Sequence, residues 1–369
     1  MASIVYVTKD RERAEGMSEN DEYFILSDNG FRDTYDLLSD EKNIDFIRRK
    51  GSSVLVFKNN IHIEKLCKDK GLQLLNPSAE LSEKVENKIS QIKWLGELEY
   101  MLPKHSVSIV KNIEWNKKFF ILQWSHGHTG DGTILIKNEN NLQALKDKFP
   151  HREARVTDFI KGPMFTLNIV VTAQEILLGN ISYQITGMLP FTENPWSTIG
   201  NDWSLPHTIL TENHIKDIED MARKIAEKMR RDGWKGLFGI DVIYNEERDC
   251  INLIEINARQ SASATYESQL QKKNADHTTI FEAHIKALLH EPITKPTIQI
   301  NDGAQILQRV TSKTAKIDPE KVKKAGYKVI KYSNKKMNAD LLRIQSERGI
   351  METHNRFNSR GKDLISALL

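Results

Sequence analysis

Cysteine is scarce in this sequence. Its 369 residues include two cysteines, Cys67 and Cys250, which lie far apart and outside any CxxC spacing. Such a pair supports neither a disulfide framework nor a cysteine-based zinc cluster. We expect both thiols to be buried and reduced.

A strong charge of one sign is lacking as well. The chain carries 53 Lys and Arg against 50 Asp and Glu, which gives a net charge of +3 at pH 7. This balance provides no global basic field of the kind that favours nucleic-acid binding. It is still compatible with a local anion site, and we expect no nucleic-acid partner.

Long hydrophobic runs are absent too. No apolar stretch approaches the ~20 residues that a membrane-spanning helix requires. The N-terminus, MASIVYVTKD, runs directly into a short β-branched strand pattern, without the basic region that opens a secretory signal. We therefore expect a cytoplasmic protein with no membrane partner.

The composition is that of a globular protein. Apolar residues make up 39% of the chain and charged residues 28%, with 19 Gly and 10 Pro. These fractions exclude a disordered or fibrous chain. Because the length exceeds one ordinary core, at ~150 residues per domain, we expect two or three domains.

The chain opens with short apolar runs of buried-strand type, at residues 3–7, 23–26, 53–57 and 72–75. The polar segments between these runs are long enough for helices, one of which ends at Gly71. A break follows at Asn76-Pro77. We therefore predict a small α/β domain at the N-terminus.

The middle of the chain mixes helical and strand patterns. Residues 79–101 have helical apolar spacing, and residues 212–232 form the best amphipathic helix in the sequence. Residues 190–210, rich in Pro and Trp, predict a long irregular loop of functional type. The candidates there for substrate recognition are Trp196, Asp202, Trp203 and His207. Anchoring of the loop on the core is the alternative role of the tryptophans.

A charged turn between two apolar runs, in GLFGIDVIYNEERDCINLIEIN, predicts a β-hairpin. We predict a register in which Tyr244 lies opposite Cys250, so that one face carries Asp241, Glu255, Asn257 and Arg259. Carboxylate and amide oxygens on a half-buried face suit Mg²⁺, and an arginine fork can hold a carboxylate or phosphate. A solvated strand face is the alternative interpretation.

The segment QWSHGHTGDGT, residues 123–133, joins two predicted strands. Its three glycines can turn successive backbone N–H groups inward and form a concave anion site. The usual nucleotide fingerprints, GxGxxG and GxxxxGK[ST], are both absent. A flexible hairpin tip is the alternative interpretation.

The glycine loop, the strand crossing at Gly162-Pro163 and the carboxylate hairpin resemble the ATP-grasp superfamily in their order and spacing. The resemblance covers about residues 1–292, and GIDVIY…LIEINAR is its most specific part. It implies an α+β ATP-grasp fold with an N-terminal α/β (pre-ATP-grasp) domain and a small C-terminal β-rich domain. The implied bounds are 1–84, 85–292 for the ATP-grasp domain with ATP between its two lobes, and 293–369.

The resemblance also implies residue roles. The implied metal ligands are Asp241, Glu255 and Asn257, and the implied catalytic residues are Arg259 and Glu255. The segment TDFIKGPMFT resembles the hinge that lies along adenine. The residues implied to bind ATP are Lys88, Gln123, Ser125, His126, Gly127, Gly130, Gly132, Thr133, Asp158, Phe159 and Ile160. For Lys88, a solvated helical lysine is the alternative.

Three positions depart from the family pattern. Gln123 stands where the family usually has Lys, Met164 where an acid often holds the ribose, and Ala258 where the family has Pro. The first departure matters most, because glutamine brings no charge. Either Mg²⁺, the glycine loop and another cation, such as Lys88 or Lys111, then meet the phosphate charge, or ATP binding is weak or altered.

The resemblance implies an ATP-dependent carboxylate–amine ligase. Mg·ATP would phosphorylate a small-molecule carboxylate, and an amine would capture the acyl phosphate, with release of ADP and phosphate. Two rivals stay open: a biotin-carboxylase-like ATP-dependent carboxylase, suggested by the β-rich tail, and a nucleotide-binding protein without ligase activity. The sequence leaves the assembly open, with a homodimer as the candidate.

Overall fold

The N-terminal layer is a parallel sheet covered by helices. The computed structural model describes residues 3–125, 132–272, 276–312 and 317–369. The strands are β1 (Ile4–Val7), β2 (Tyr23–Leu26), β3 (Ser53–Val56) and β4 (Gln73–Leu74), and the helices are α1 (Thr34–Ser39), α2 (Glu41–Arg49) and α3 (Ile61–Asp69). The strands pair in the order β2-β1-β3-β4. The apolar runs predicted as strands thus form this sheet.

Both faces of the N-terminal sheet are buried, which explains its continuous apolar runs. Val5 and Val54 pack on one side with helix residues such as Leu37. Tyr6 packs on the other side against Phe281, at a ring-centroid distance of 6.2 Å. A helix from far along the chain therefore covers the second face.

The stretch predicted as one helix, residues 79–101, is divided. Its elements are α4 (Ala79–Glu86), α5 (Ser90–Leu95) and a 3₁₀ segment (Gly96–Met101). The side chain of Asn87 accepts hydrogen bonds from the backbone N–H groups of Ile89 (3.0 Å) and Ser90 (3.2 Å). Such a local side-chain bond competes with helix continuation. The break puts Lys88 on a turn instead of a helix surface.

The next layer is a small antiparallel sheet. Its elements are β5 (His105–Ile109), β6 (Phe120–Gln123), β7 (Thr133–Ile136), α6 (Glu139–Lys148) and β8 (Glu153–Asp158). The strands pair in the order β5-β8-β6-β7. Gln123 pairs with Thr133 on one side and with Arg155 on the other. Three polar side chains therefore meet at this position of the sheet.

The large sheet begins with the middle of the chain. The elements there are β9 (Met164–Val171), β10 (Ile176–Leu178), β11 (Ser182–Thr186), β12 (Thr198–Asp202), α7 (Pro206–Ile209), α8 (Glu212–Arg231), β13 (Gly236–Asn245), β14 (Cys250–Asn257), α9 (Ala264–Gln271) and α10 (Ile280–Leu289). Helix α8 buries its predicted apolar stripe, including Ile218 and Ile225. The prediction of an irregular loop over residues 190–210 is wrong in part, because that segment contains β12 and α7.

The C-terminal strands continue the same sheet. The elements are β15 (Ala304–Arg309), α11 (Pro319–Lys324), β16 (Lys328–Lys331), β17 (Asp340–Ser346), β18 (Met351–Thr353), β19 (Arg356–Phe357) and α12 (Ser359–Leu368). The sheet runs β14-β13-β9-β11-β12-β15-β17-β16, with β10 beside β9. The sheet is continuous because β12 pairs with β15. The division of the chain into three domains stays a prediction. Within the described ranges, no helix has the length and apolar character needed to cross a membrane.

The β13–β14 hairpin has a different register from the predicted one. Asn245, not Tyr244, lies opposite Cys250. In addition, the pairing itself shifts between Asp241 and Val242. This shift is a β-bulge, in which one strand carries an extra residue and bends. As a result Asp241 lies directly opposite Glu255. The predicted shared face is therefore present, although the pairing that produces it was predicted wrongly.

Candidate functional site

A cavity of about 350 Å³ lies between the small antiparallel sheet and the large sheet. The predicted site residues in its wall are Gln123, Thr133, Asp158, Phe159, Ile160, Asp241, Glu255, Asn257 and Arg259. Three predicted site residues that the structure describes lie outside this wall, namely Lys88, Ser125 and Gly132. The predicted residues His126, Gly127 and Gly130 lie outside the described ranges. The strands thus bring most of the described candidates to one cavity.

Asp241 and Glu255 form an acidic pair in the cavity wall. The hydroxyl of Thr166 donates to Oδ1 of Asp241 (2.7 Å), and Nδ2 of Asn257 donates to Oδ2 (3.0 Å). Burial raises the pKa of Asp241 to about 6, and the charge of Glu255 adds to that rise. Ionisation of both carboxylates is therefore costly here, and a bound cation would lower that cost.

Lys88 meets this acidic pair from the protein interior. Its Nζ lies 3.1 Å from Oε1 of Glu255, and its side chain is only 4% exposed. Its backbone N–H donates to the carbonyl oxygen of Ser125 (3.0 Å), at the start of the glycine loop. The alternative of a solvated helical lysine is therefore wrong, because the helix break turns this side chain inward.

Arg259 forms a partly buried ion pair with Glu86. Its Nη1 donates to Oε1 of Glu86, and Lys58 contacts the other oxygen of the same carboxylate. Burial raises the pKa of Glu86, but the charges of Arg259 and Lys58 outweigh it, so that the pKa lies below its ordinary value. Glu86 therefore fixes the arginine at the cavity wall.

Arg155 is a cavity residue that the sequence patterns did not single out. Its Nε and Nη2 donate to Oε1 of Gln123 (2.9 and 2.6 Å), and Nη2 also donates to the carbonyl oxygen of Ile254 (3.1 Å). Burial lowers the pKa of Arg155 to about 10, while Glu255 opposes the change, so the guanidinium stays charged at neutral pH. Gln123 thus holds a cation beside the cavity instead of supplying one.

No local signal in the sequence marks Arg155. In EARVTD, strand alternation places Arg155 on the same face as Glu153 and Thr157, which is typical of a solvated face. Its burial, and its need for partners, appear only in the structure. Lys111, one of the cations suggested from the sequence, is exposed on the turn after β5.

The donor set of the acidic pair fits Mg²⁺. Within the described residues, no group of three or more His, Cys, Asp or Glu could hold a metal ion. Two carboxylates and an amide are available instead. Mg²⁺ is usually held by one or two carboxylates together with water and substrate phosphates. The residues of the wall therefore suit a Mg²⁺ ion shared with a phosphate-bearing substrate.

The strand crossing passes close over the end of β13. A Cβ added to Gly162 would lie 1.9 Å from the carbonyl oxygen of Tyr244, so the close approach requires glycine. The backbone N–H of Tyr244 donates to the carbonyl oxygen of Pro163 (3.0 Å). This crossing brings the predicted hinge, Asp158 to Ile160, to the cavity wall.

The candidates from residues 190–210 divide into two groups. Trp196 lines the cavity. Trp203 is fully buried and packs edge-on against Tyr266, with ring centroids 5.9 Å apart. Asp202 accepts hydrogen bonds from backbone N–H groups, among them those of Ile350 (2.6 Å) and Met351 (2.9 Å). His207 is exposed. Asp202 and Trp203 thus have structural contacts, and Trp196 remains as a candidate for substrate contact.

The chain is similar to known proteins in both sequence and fold. Residues 85–263 match the model of a family described as ATP-grasp domain. Over 144 residues the chain is 26% identical to a butirosin acyl-carrier protein L-glutamate ligase of Niallia circulans, a match that covers 38% of this chain and 32% of that ligase. The match therefore spans about a third of the length of that relative.

Solved structures of similar fold cover almost the whole chain. N5-carboxyaminoimidazole synthetase from Staphylococcus aureus, complexed with ADP, has a TM-score of 0.72 at 14% identity, covering 99% of this chain and 96% of that chain. L-amino acid ligase from Bacillus licheniformis has a TM-score of 0.67 at 11% identity, covering 100% of this chain and 97% of that chain. The predicted fold is confirmed.

Proposed function

Since this chain is an ATP-grasp domain protein, we propose that it is an ATP-dependent ligase that joins a carboxylate to an amine and releases ADP and phosphate. The observation that carries the proposal is the in-register pair of Asp241 and Glu255, which shares a cavity with the cations Arg155 and Arg259. Phosphoryl transfer is accelerated chiefly by positioning and charge neutralisation, and this wall offers fixed charges of both signs.

The choice of a carboxylate substrate has two supports. One is the similarity to a glutamate ligase over 144 residues. The other is Arg259, whose planar fork suits a carboxylate and whose orientation is held by Glu86. Both favour activation of a carboxylate.

In this proposal the nucleotide occupies the cavity between the two sheets. The hinge from Asp158 to Ile160 would contact the base, and the charge of Arg155 would face the phosphates. Asp241, Glu255 and Asn257 would hold Mg²⁺, which when bound neutralises phosphate charge. The hydrogen bond from Thr166 orients Asp241 for that role.

The proposed reaction has two chemical steps. A carboxylate oxygen of the acid forms a bond to the γ-phosphorus of ATP, while the bond from that phosphorus to the ADP oxygen breaks. The nitrogen lone pair of the amine then attacks the carbonyl carbon, phosphate leaves with the bonding electrons, and the nitrogen loses a proton. Arg259 would hold the carboxylate in the first step and the acyl phosphate in the second.

A screen for ADP release tests the proposal. Purified protein with Mg·ATP is incubated with pooled amino acids and small acids, with hydroxylamine in place of the natural amine. We expect acid-dependent ADP formation together with a hydroxamate. ADP formation that depends on bicarbonate and biotin would favour the carboxylase rival, and no ADP in any pool would favour a binding protein without ligase activity.

A pair of variants links the activity to this site. Glu255→Gln removes one proposed ligand at nearly constant volume, and we expect it to lower turnover by about 100-fold or more. Glu247→Gln, in the exposed turn of the same hairpin, is the matched control and should leave turnover unchanged. Equal turnover in both variants would contradict the assignment of Glu255.

A further inference from the structure

Three arginines from distant parts of the chain line one region of the cavity. They are Arg13, from the 3₁₀ turn Arg11–Ala14 after β1, Arg309 at the end of β15, and Arg343 on β17. Arg309 is 6% exposed and Arg343 is 2% exposed. These three residues, called the arginine cluster below, are separate from Arg259, which pairs with Glu86.

Two carboxylates accompany the arginine cluster. Glu12 lies 3.1 Å from Nε of Arg13 and 3.4 Å from Nε of Arg343. Asp340 forms an ion pair with Nη1 of Arg309 and lies 3.6 Å from Nη2 of Arg13. Within the described residues, three guanidinium groups thus pair with two carboxylates. One positive charge is left in excess in a buried place, where an uncompensated charge is costly.

Each guanidinium of the arginine cluster also keeps one nitrogen without a partner. In the described part of the chain, Nη1 of Arg13, Nε of Arg309 and Nη2 of Arg343 have no hydrogen-bond acceptor, and each atom is shielded from solvent. Buried donors are nearly always paired in folded proteins. Three unpaired donors in residues that line one cavity point to an acceptor that enters from outside the chain.

The other hydrogen bonds of the arginine cluster fix where the side chains lie. Arg343 donates to the hydroxyl of Tyr332 (2.9 Å) and to Oε1 of Gln305 (3.0 Å). Arg309 donates to the carbonyl oxygens of Thr198 (3.3 Å) and Asn338 (3.2 Å). The stems are thus anchored, and small rotations of the guanidinium groups, which are common on binding, would present the unpaired N–H groups.

We infer that the arginine cluster binds a carboxylate that does not react, carried by one of the two substrates. A carboxylate brings one negative charge, which balances the excess of one positive charge, whereas a phosphate monoester, at about −1.5 to −2 at pH 7, would exceed it. The planar fork of arginine also matches a carboxylate. This inference rests on the proposed function only in treating the ligand as a substrate.

Substrate pairs test the inference on the unmodified protein. Hydroxylamine capture first shows whether the chain activates an acid at all. Free L-amino acids are then compared with their carboxamides as amines, and dicarboxylic acids with their monoamides as acids. We expect kcat/KM to fall by roughly 10- to 100-fold on amidation in one arm. The arm that responds identifies which substrate carries the carboxylate, and equal kcat/KM within every pair would overturn the inference.

Variants of the arginine cluster test whether the preference for a free carboxylate arises there. Arg343→Gln removes the excess positive charge. Arg309→Gln removes a guanidinium that has different hydrogen-bond partners, so it still tests the inference if Arg343→Gln does not fold. We expect each variant to raise KM for the substrate with the free carboxylate, so that the preference over the amide is lost. The kcat with the amide should be retained. Arg356→Gln, an exposed arginine with an i,i+4 partner, is the matched control. Equal loss with carboxylate and amide would overturn the inference.

A binding measurement distinguishes failure of the ligase proposal from failure of the inference about the arginine cluster. If no acid is activated, the ligase proposal fails, and calorimetric titration of the same free acids and amides with Mg·ADP present still tests the arginine cluster. Selective binding of free carboxylates, lost in Arg343→Gln, would support it. Absence of any such binding would overturn it.

Discussion

Replacing Glu267 by glutamine should remove a pH dependence of stability that this single carboxyl imposes. Glu267 is fully buried on α9. It accepts hydrogen bonds from the backbone N–H of Asn180 (2.6 Å) and from Nδ2 of Asn168 (2.6 Å). Burial nevertheless raises its pKa from 4.5 to about 7, with those hydrogen bonds opposing the rise.

The sign of the effect follows from proton binding. Because the pKa of Glu267 is higher in the folded than in the unfolded state, the folded state binds more protons between about pH 4.5 and pH 7. Stability from this group is therefore lost as pH rises through that range and is constant above it. At about 1.4 kcal/mol for each unit of pKa difference, the full loss amounts to about 3.5 kcal/mol.

Urea unfolding at pH 5 and pH 8 measures this loss. The free energy of unfolding of Glu267→Gln, relative to the natural chain, should rise by about 2.5 kcal/mol from pH 5 to pH 8, since part of the loss occurs below pH 5. The exposed variant Glu247→Gln corrects for changes elsewhere in the protein. A difference that is independent of pH, or that falls toward pH 8, would refute the reasoning.

Three further predictions concern the cavity and the strand crossing beside it. Arg155→Met should weaken ADP binding by roughly 10- to 100-fold in calorimetry, since a charged group facing the phosphates is lost; unchanged affinity would separate Arg155 from the nucleotide. Gln123→Lys should fail to tighten ADP binding, because the new charge would lie beside Arg155, and a tenfold gain would contradict this. Gly162→Ala should lower the thermal stability by about 1–3 kcal/mol, because its Cβ would overlap the carbonyl oxygen of Tyr244; an unchanged melting temperature would argue against that close approach.

Local patterns were sufficient for much of the fold. The N-terminal strands are continuous apolar runs because both faces of their sheet are buried, and helix α8 follows the spacing of its apolar stripe. The ATP-grasp resemblance supplied the order of the layers. Most of the described candidate residues then fell on one cavity, although their individual roles stay predictions.

Features that depend on distant contacts could not be predicted. The bulge beside Asp241 shifts the hairpin register, and nothing local in two apolar runs specifies its position. Strand β12 was missed because its pairing partner, β15, lies about a hundred residues further along the chain. Arg155 was missed because its role depends on Gln123 in a neighbouring strand.

The break at Asn87 is a different case. Helical spacing continues across it, whereas the side-chain hydrogen bonds of Asn87 favour a turn. The turn makes Lys88 a buried partner of Glu255. An asparagine within a helical pattern, three residues before the next helix begins, was the available signal.

Transfer of oxygen from the acid to phosphate tests the central claim most directly. An acid that supports ADP release is labelled with ¹⁸O in its carboxylate, and the released inorganic phosphate is analysed by mass spectrometry. If a carboxylate oxygen attacks the γ-phosphorus and the amine then displaces phosphate from carbon, each phosphate carries one ¹⁸O from the acid, and the nucleotide product is unlabelled ADP. Unlabelled phosphate, or label appearing in AMP, would contradict the account.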